Sequence, residues 1–304
     1  MGKPTHRPAE RTPGSDQSWT RLGLVLLAGL ALGSTTVATR IGVQELHPLT
    51  LVALRVLVGV AAFAIVLGAL RRPLPRGHWR DLAVVGLANT AFPLVAFTIA
   101  LQSISSGVLT IFLSLIPLFT ALMAHVWLKG ERLHGARLAG LLVALSGVVV
   151  LLATRTTGLN GGAPADLRGH ALALAGALTN AFGAVYVRRR LSDVDPLALT
   201  AGQMLLSLGL LAPAALALGS LDFSGVTWRG WGAVAYMALV GSFLGFYVIY
   251  TLIRRYGATT GALPGYVVPV VAFGLGPLLL GEVVGPALLA GVALTLAGVF
   301  IANR

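Results

Sequence analysis

Charged residues along this chain are confined to short intervals between long apolar runs. Stretches free of Asp, Glu, Lys and Arg occupy 22–39, 56–70, 82–128, 138–154, 169–187, 196–221, 230–253, 256–281 and 283–303. A helix crosses the hydrocarbon core of a bilayer with roughly 20 mostly apolar residues. The 82–128 run has 47 residues, enough for two crossings, and Gln102-Ser103-Ile104-Ser105-Ser106 supplies a polar hairpin in its middle. The pattern therefore predicts an all-α membrane protein with ten transmembrane helices. They are placed at 20–40, 48–70, 80–101, 105–128 and 136–153, then 169–189, 196–218, 230–253, 258–280 and 285–302. Lys3, Arg7 and Arg11 ahead of an apolar segment resemble a secretory leader. The segment Leu22 to Thr39 is longer than a leader's apolar region and has a counterpart inside the chain, so it reads as the first span.

That counterpart belongs to an internal repeat. Gly130-Glu131, Gly140 and Gly147 recur as Gly281-Glu282, Gly291 and Gly298, each displaced by 151 residues. Arg40, Pro48 and Arg55 recur as Arg188, Pro196 and Gln203, each displaced by 148. The expected organisation is a tail at 1–18, a first half at 19–153, a Gly-, Thr- and Pro-rich linker at 154–167 that reads as exposed, and a second half at 168–304. Five spans per half is an odd number, so the second half enters the membrane with the opposite orientation. The repeat is inverted by arithmetic.

Composition agrees with this picture. The chain is 56% hydrophobic and 11% charged, whereas soluble chains carry about 25% charged residues. A formal charge of +12 raises nucleic acid as a partner, but the arginines sit in short connections, where membrane topology accounts for them. With the N-terminus inside, 17 of the 22 Lys and Arg residues fall on the cytoplasmic side, which puts both termini in the cytoplasm. The chain has no cysteine, so disulfides, thiolate metal sites and cysteine nucleophiles are excluded. Gly-x-x-x-Gly spacings such as Gly29 to Gly33 and Gly241 to Gly245 read as helix packing.

Phosphate-cradling loops, hydrolase elbows and zinc-binding His-Glu-x-x-His motifs are absent, so no enzyme, cofactor or metal is expected. Inverted repeats place a substrate site near the bilayer midplane, where two bundles rock to open to each side in turn. Arg55 is the one formal charge well inside an apolar run, about 10 Å past Pro48 at 1.5 Å per residue. Two readings stand: it binds a substrate carboxylate, or it ties helix ends together through carbonyls and Glu45. Gln203, its repeat mate, is a neutral candidate for the same pathway. Asn89, Asn180, Thr35, Thr36, Tyr247, Tyr250 and Tyr266 add polar groups at membrane depth, as interhelical contacts or as cavity lining. Pro117 and Pro269 kink their helices, and Pro93, Pro264 and Pro277 also lie within spans. Tyr236 and Trp228 read as interfacial anchors. Glu131 and Glu282 sit where a carboxylate satisfies the amides opening the following helix. Proton coupling by either glutamate or by His125 is the alternative.

At the repeated blocks the chain resembles the EamA-type family of the drug/metabolite transporter superfamily. The resemblance rests on Pro117-Leu-Phe-Thr-Ala-Leu followed by Gly130-Glu131-Arg132-Leu133 and Gly140 to Gly147, and on Pro269-Val-Val-Ala-Phe followed by Gly281-Glu282 and Gly291 to Gly298. Arg55 in the second helix and Arg40 near the end of the first match it too. The resemblance implies ten helices in inverted five-helix repeats, a bacterial inner-membrane location and export or exchange of metabolites such as amino acids. Exporters of drugs or other small organic compounds, and a channel or scaffold, are the alternatives. The implied partners are a small-molecule substrate and the lipid bilayer, as monomer or homodimer.

Overall fold

The computed structural model describes residues 15–75, 77–128, 135–159, 167–218 and 221–302. Its helices are α1 (Ser15–Glu45), α2 (Pro48–Ala69), α3 (Trp79–Ala100), α4 (Ser106–Trp127), α5 (Gly135–Ala153), α6 (Leu167–Arg190) and α7 (Pro196–Ala217). α8 opens as Trp228–Tyr236, passes through a π-helical stretch, Met237–Gly245, and continues as Phe246–Ala262. α9 (Pro264–Leu280) and α10 (Pro286–Ala302) follow. No strand occurs among the described residues. By length and composition seven helices, α1–α4 and α6–α8, suffice to cross a membrane, and Leu138–Ala153, Pro264–Leu280 and Pro286–Ala302 are shorter apolar helices. Leu30, Ile65, Leu142, Leu210, Val270 and Leu278 are exposed around the outside of the bundle, where lipid chains are the solvent that tolerates them.

Helix ends follow local chemistry. α2 and α7 begin at Pro48 and Pro196, whose missing N–H and fixed φ suit the first helical position. The Ser105 hydroxyl accepts from Val108 N, and Asp195 accepts from Leu197 N and Ala198 N, capping α4 and α7. α1 runs five residues past the expected end at Arg40, because Val43 and Leu46 are buried and nothing breaks the helix before Pro48. Arg40 is therefore inside a helix. A second difference lies at the α8–α9 junction. The helical chain continues through 258–262, where the start of the ninth span was expected, and breaks only at Leu263 before Pro264. Gly261 packs against Ile253, eight residues earlier, a pair that a straight helix separates by about 12 Å. The helical stretch before Leu263 is therefore bent.

Close helix approaches explain most of the repeated glycines. A Cβ on Gly140 would strike the Gly298 carbonyl and Ala302, and one on Gly147 would strike the Gly291 carbonyl. Thr295 Oγ1 donates to Ala144 O at 3.4 Å between them. As residue numbers rise on α5 they fall on α10, so two helices with the same glycine pattern cross antiparallel. The rest of the pairing exchanges the halves in the same way. α1 packs on α8 and α9 while α6 packs on α3 and α4, and α2 packs on its counterpart α7. Gly29 and Gly33 receive Val267 and Val271 of α9, so that spacing is indeed packing. Each half also carries a π-helical stretch in its third helix, Gly86–Ala91 and Met237–Gly245.

One end of the bundle is tied by bonds across the repeats. Gly281 ends α9 in the left-handed conformation, φ 63°, which suits a residue without Cβ. That turn delivers Glu282 to the start of α4, where its carboxylate accepts from Ser106 N at 2.8 Å, Ser106 Oγ at 2.6 Å and Gly107 N at 3.4 Å. The expected cap therefore exists but on a different helix: Glu282 serves α4 of the other half, not the helix that follows it. Glu131 lies outside the described residues. At the same end Ser105 N donates to Thr157 O and Val283 N to Gly158 O, which fastens the described start of the 154–167 linker to the bundle and leaves Gly158 buried. Glu45 accepts from Thr227 N at 2.8 Å and Thr227 Oγ1 at 2.9 Å at the start of α8.

Candidate substrate pathway

Between the halves lies a cavity of about 320 Å³. α1 supplies Thr35, Thr36 and Thr39, α2 supplies Arg55, α3 Asn89 and Thr98, α4 Pro117 and Thr120, α6 Asn180 and Arg188, α8 Phe246 and Ile249, and α9 Pro264 and Gly265. Its wall continues to Ala124, Arg188 and Ala302, in the last turns of α4, α6 and α10. The opposite end is the one fastened by Glu282, Thr157 and Gly158. Most of the wall is apolar, with a few convergent polar groups, the usual composition of a small-molecule site.

Arg55 is 5% exposed and its Nε donates to Ser242 Oγ at 2.8 Å. Ser242 belongs to the π-helical stretch of α8, and Gly241 beside it makes room for the guanidinium. A Cβ there would stand 3.0 Å from Nη2 and still closer to Thr35. Glu45, offered by the sequence as a structural partner, is engaged instead with Thr227, so Arg55 is not its counter-ion. Among the described residues lining the cavity, none is an aspartate or glutamate, while Arg55 and Arg188 are cationic. A buried arginine served by one neutral hydroxyl leaves positive charge directed at the cavity.

Gln203 does not line the cavity. It is fully buried behind it, linked through Tyr250: Asn89 Nδ2 donates to Tyr250 OH at 3.1 Å, and Tyr250 OH donates to Gln203 Oε1 at 3.1 Å. Asn89 Oδ1 and Gln203 Nε2 make no hydrogen bond among the described residues. Asn180 Nδ2 reaches Asn89 O at 3.5 Å, on the π-helical stretch of α3, and Gly183 lies against the Asn89 amide. Ser207 Oγ donates to Gly86 O at 2.8 Å at the start of that stretch. Thr35 and Thr36 border the cavity while donating to carbonyls one turn back, Ala31 O and Leu32 O.

Like Gln203 and Tyr250, two more residues expected in the pathway, Tyr247 and Tyr266, do not line the cavity, nor does Pro269, expected as a helix kink. Tyr247 is exposed on another face, in a groove with Arg72 and Arg254. Tyr266 packs against the main hydrophobic core, and Pro269 is buried within α9. On α9 the cavity is met instead by Pro264 and Gly265. Tyr236 OH donates to Ser34 Oγ at 2.9 Å, Trp228 is 80% exposed, and His125 is exposed near the end of α4. Ser242, Thr39 and Thr120 were missed by the sequence. The sole pointer to Ser242 was its place inside the Gly241 to Gly245 spacing.

A bundle of apolar helices in two like halves around a shared, mostly apolar cavity with a few polar groups defines a multi-pass membrane protein of the transporter kind. The model of the EamA-like transporter family matches residues 20–153 and again 167–304, and the chain belongs to that family. Among similar proteins, the inner membrane transporter YedA of Escherichia coli (strain K12) is 30% identical over 82% of this chain and 79% of its own length. A protein described as a probable amino-acid metabolite efflux pump, from the same organism, is 28% identical over 91% of this chain and 93% of its own. A probable terminal-alkyne amino-acid exporter of Streptantibioticus cattleyicolor is 27% identical over 92% of each. A solved structure titled "Crystal structure of protein" superposes with a TM-score of 0.68 at 26% identity, covering 94% of this chain and 96% of that one. The protein is a membrane transporter.

Proposed function

We propose that the protein is a secondary transporter that moves a small metabolite, an amino acid or a related carboxylate, across the inner membrane by alternating access, with export as its direction. The observation that carries this reading is Arg55, a buried cation facing a cavity whose described lining holds no acidic residue. A substrate carboxylate supplies the missing counter-charge, and the apolar wall receives a side chain. Asn89 and Asn180 add neutral polar groups to the same wall. Arg55, Asn89, Asn180, Thr35 and Thr36 form the pathway in this reading, Pro117 shapes it, and Gln203 with Tyr250 holds Asn89 from behind. The export direction draws on the two relatives described as an efflux pump and an exporter of amino-acid compounds.

The same reading takes the seven long and three shorter apolar helices as ten spans, with repeats at 19–153 and 168–304 inverted about α2/α7 and α5/α10 and both termini cytoplasmic. The antiparallel glycine crossing of α5 and α10 supports it, as does the arginine bias. Alternation then means releasing the Glu282 end as the Arg188 end closes. Purified protein in liposomes preloaded with unlabelled amino acids should accumulate the labelled compound by saturable exchange. Flux that never saturates and shows no countertransport would replace the reading with a channel.

A further inference from the structure

Away from the cavity, three arginines meet where α2 ends and α8 passes the start of α7. Arg72, Arg254 and Arg255 surround Asp195 in an open groove of about 460 Å³. Asp195 is fully used: Oδ1 caps α7, and Oδ2 accepts Nη1 of Arg72 at 3.2 Å and Nη1 of Arg254 at 2.9 Å. Those two side chains remain 55% and 57% exposed, and Arg255 has no partner among the described residues. The groove thus holds three positive charges against one negative, arranged around a carboxylate that pins two of the guanidinium groups in place.

Its shape continues into the bilayer. Tyr247, Thr251 and Arg254 line the groove at i, i+4 and i+7, one stripe of α8 about 10 Å long. Leu70, Pro196 and Leu197 form its apolar side. A soluble anion would use the arginine end alone and leave the stripe of Tyr247 and Leu70 idle. We propose that this groove is a binding site for one anionic phospholipid, with its phosphate on Arg72, Arg254 and Arg255 and its glycerol and upper acyl chain along Thr251, Tyr247 and Leu70. Arginine forks match phosphate oxygens in pairs, and basic pockets flanking membrane helices are suited to such headgroups.

The test is a titration of fluorescent short-chain phosphatidylglycerol into the full-length protein in neutral detergent. Arg255→Gln removes a charge that makes no protein bond, and should weaken binding about fivefold with the melting temperature unchanged. R254Q/R255Q should weaken it about twentyfold. Arg189→Gln, an exposed arginine of α6 outside the groove, should leave binding as it was. If the double variant does not fold, Arg255→Gln alone decides. Equal losses in Arg255→Gln and Arg189→Gln would replace the site with a diffuse surface field. Phosphatidylcholine binding as tightly, or displacement by millimolar inorganic phosphate, would equally overturn it.

Discussion

Arg55→Gln tests one side chain. Glutamine keeps hydrogen-bonding capacity near Ser242 but removes the charge, so the protein should fold while apparent substrate affinity falls about 10- to 100-fold, the worth of a charged hydrogen bond. Uptake kinetics and a melting curve on the same sample separate this from a structural role, in which stability falls with activity. Ser242→Ala leaves Nε unsatisfied in a buried place and should cost about 1–3 kcal/mol of stability as well as affinity. Residue-level legibility was uneven for a physical reason. A charge in an apolar run stands out, because burying it is expensive. The difference between Tyr250, wired to Asn89 and Gln203, and Tyr247, exposed three residues earlier, depends on which helix face meets the cavity. Within runs apolar on nearly every side, the sequence leaves the facing direction open.

At the scale of helices, the repeated glycines were legible as marks of close packing and the structure supplies their partners. Gly147→Leu should drive a side chain into the Gly291 carbonyl and destabilise the α5–α10 crossing by about 1–3 kcal/mol, whereas Gly23→Ala, with nothing within 4 Å of its Cβ, should be neutral. Thermal stability in detergent reads both. Glu282 shows what a linear reading cannot reach. The Gly281-Glu282 pair marks a helix end, but the amides it serves belong to α4, 176 residues earlier. Glu282→Gln loses the charge that holds Ser106 N and Ser106 Oγ and should lower stability by about 1–2 kcal/mol. The α8–α9 boundary was expected between 253 and 258, but the helical chain runs on to Ala262, since Arg254 and Arg255 break the apolar run without breaking the helix.

For the whole molecule, architecture was the most legible level, because run lengths and a doubled motif carry it, and the EamA-like match over both halves agrees. The hydrogen-bonded end at Glu282 and the lining of the cavity were not, since both arise from contacts between the halves. The central claim is that one cavity opens to one side at a time. The chain has no cysteine of its own, so a single introduced thiol reports access without background. Thr120→Cys, in the cavity wall, is to be labelled by a membrane-impermeant maleimide applied separately to each face of oriented vesicles. It should react from the face that carries Arg188, and adding Glu282→Gln should open it to reagent from the opposite face. Labelling at equal rates from both faces without that second change, or from neither, would contradict alternating access.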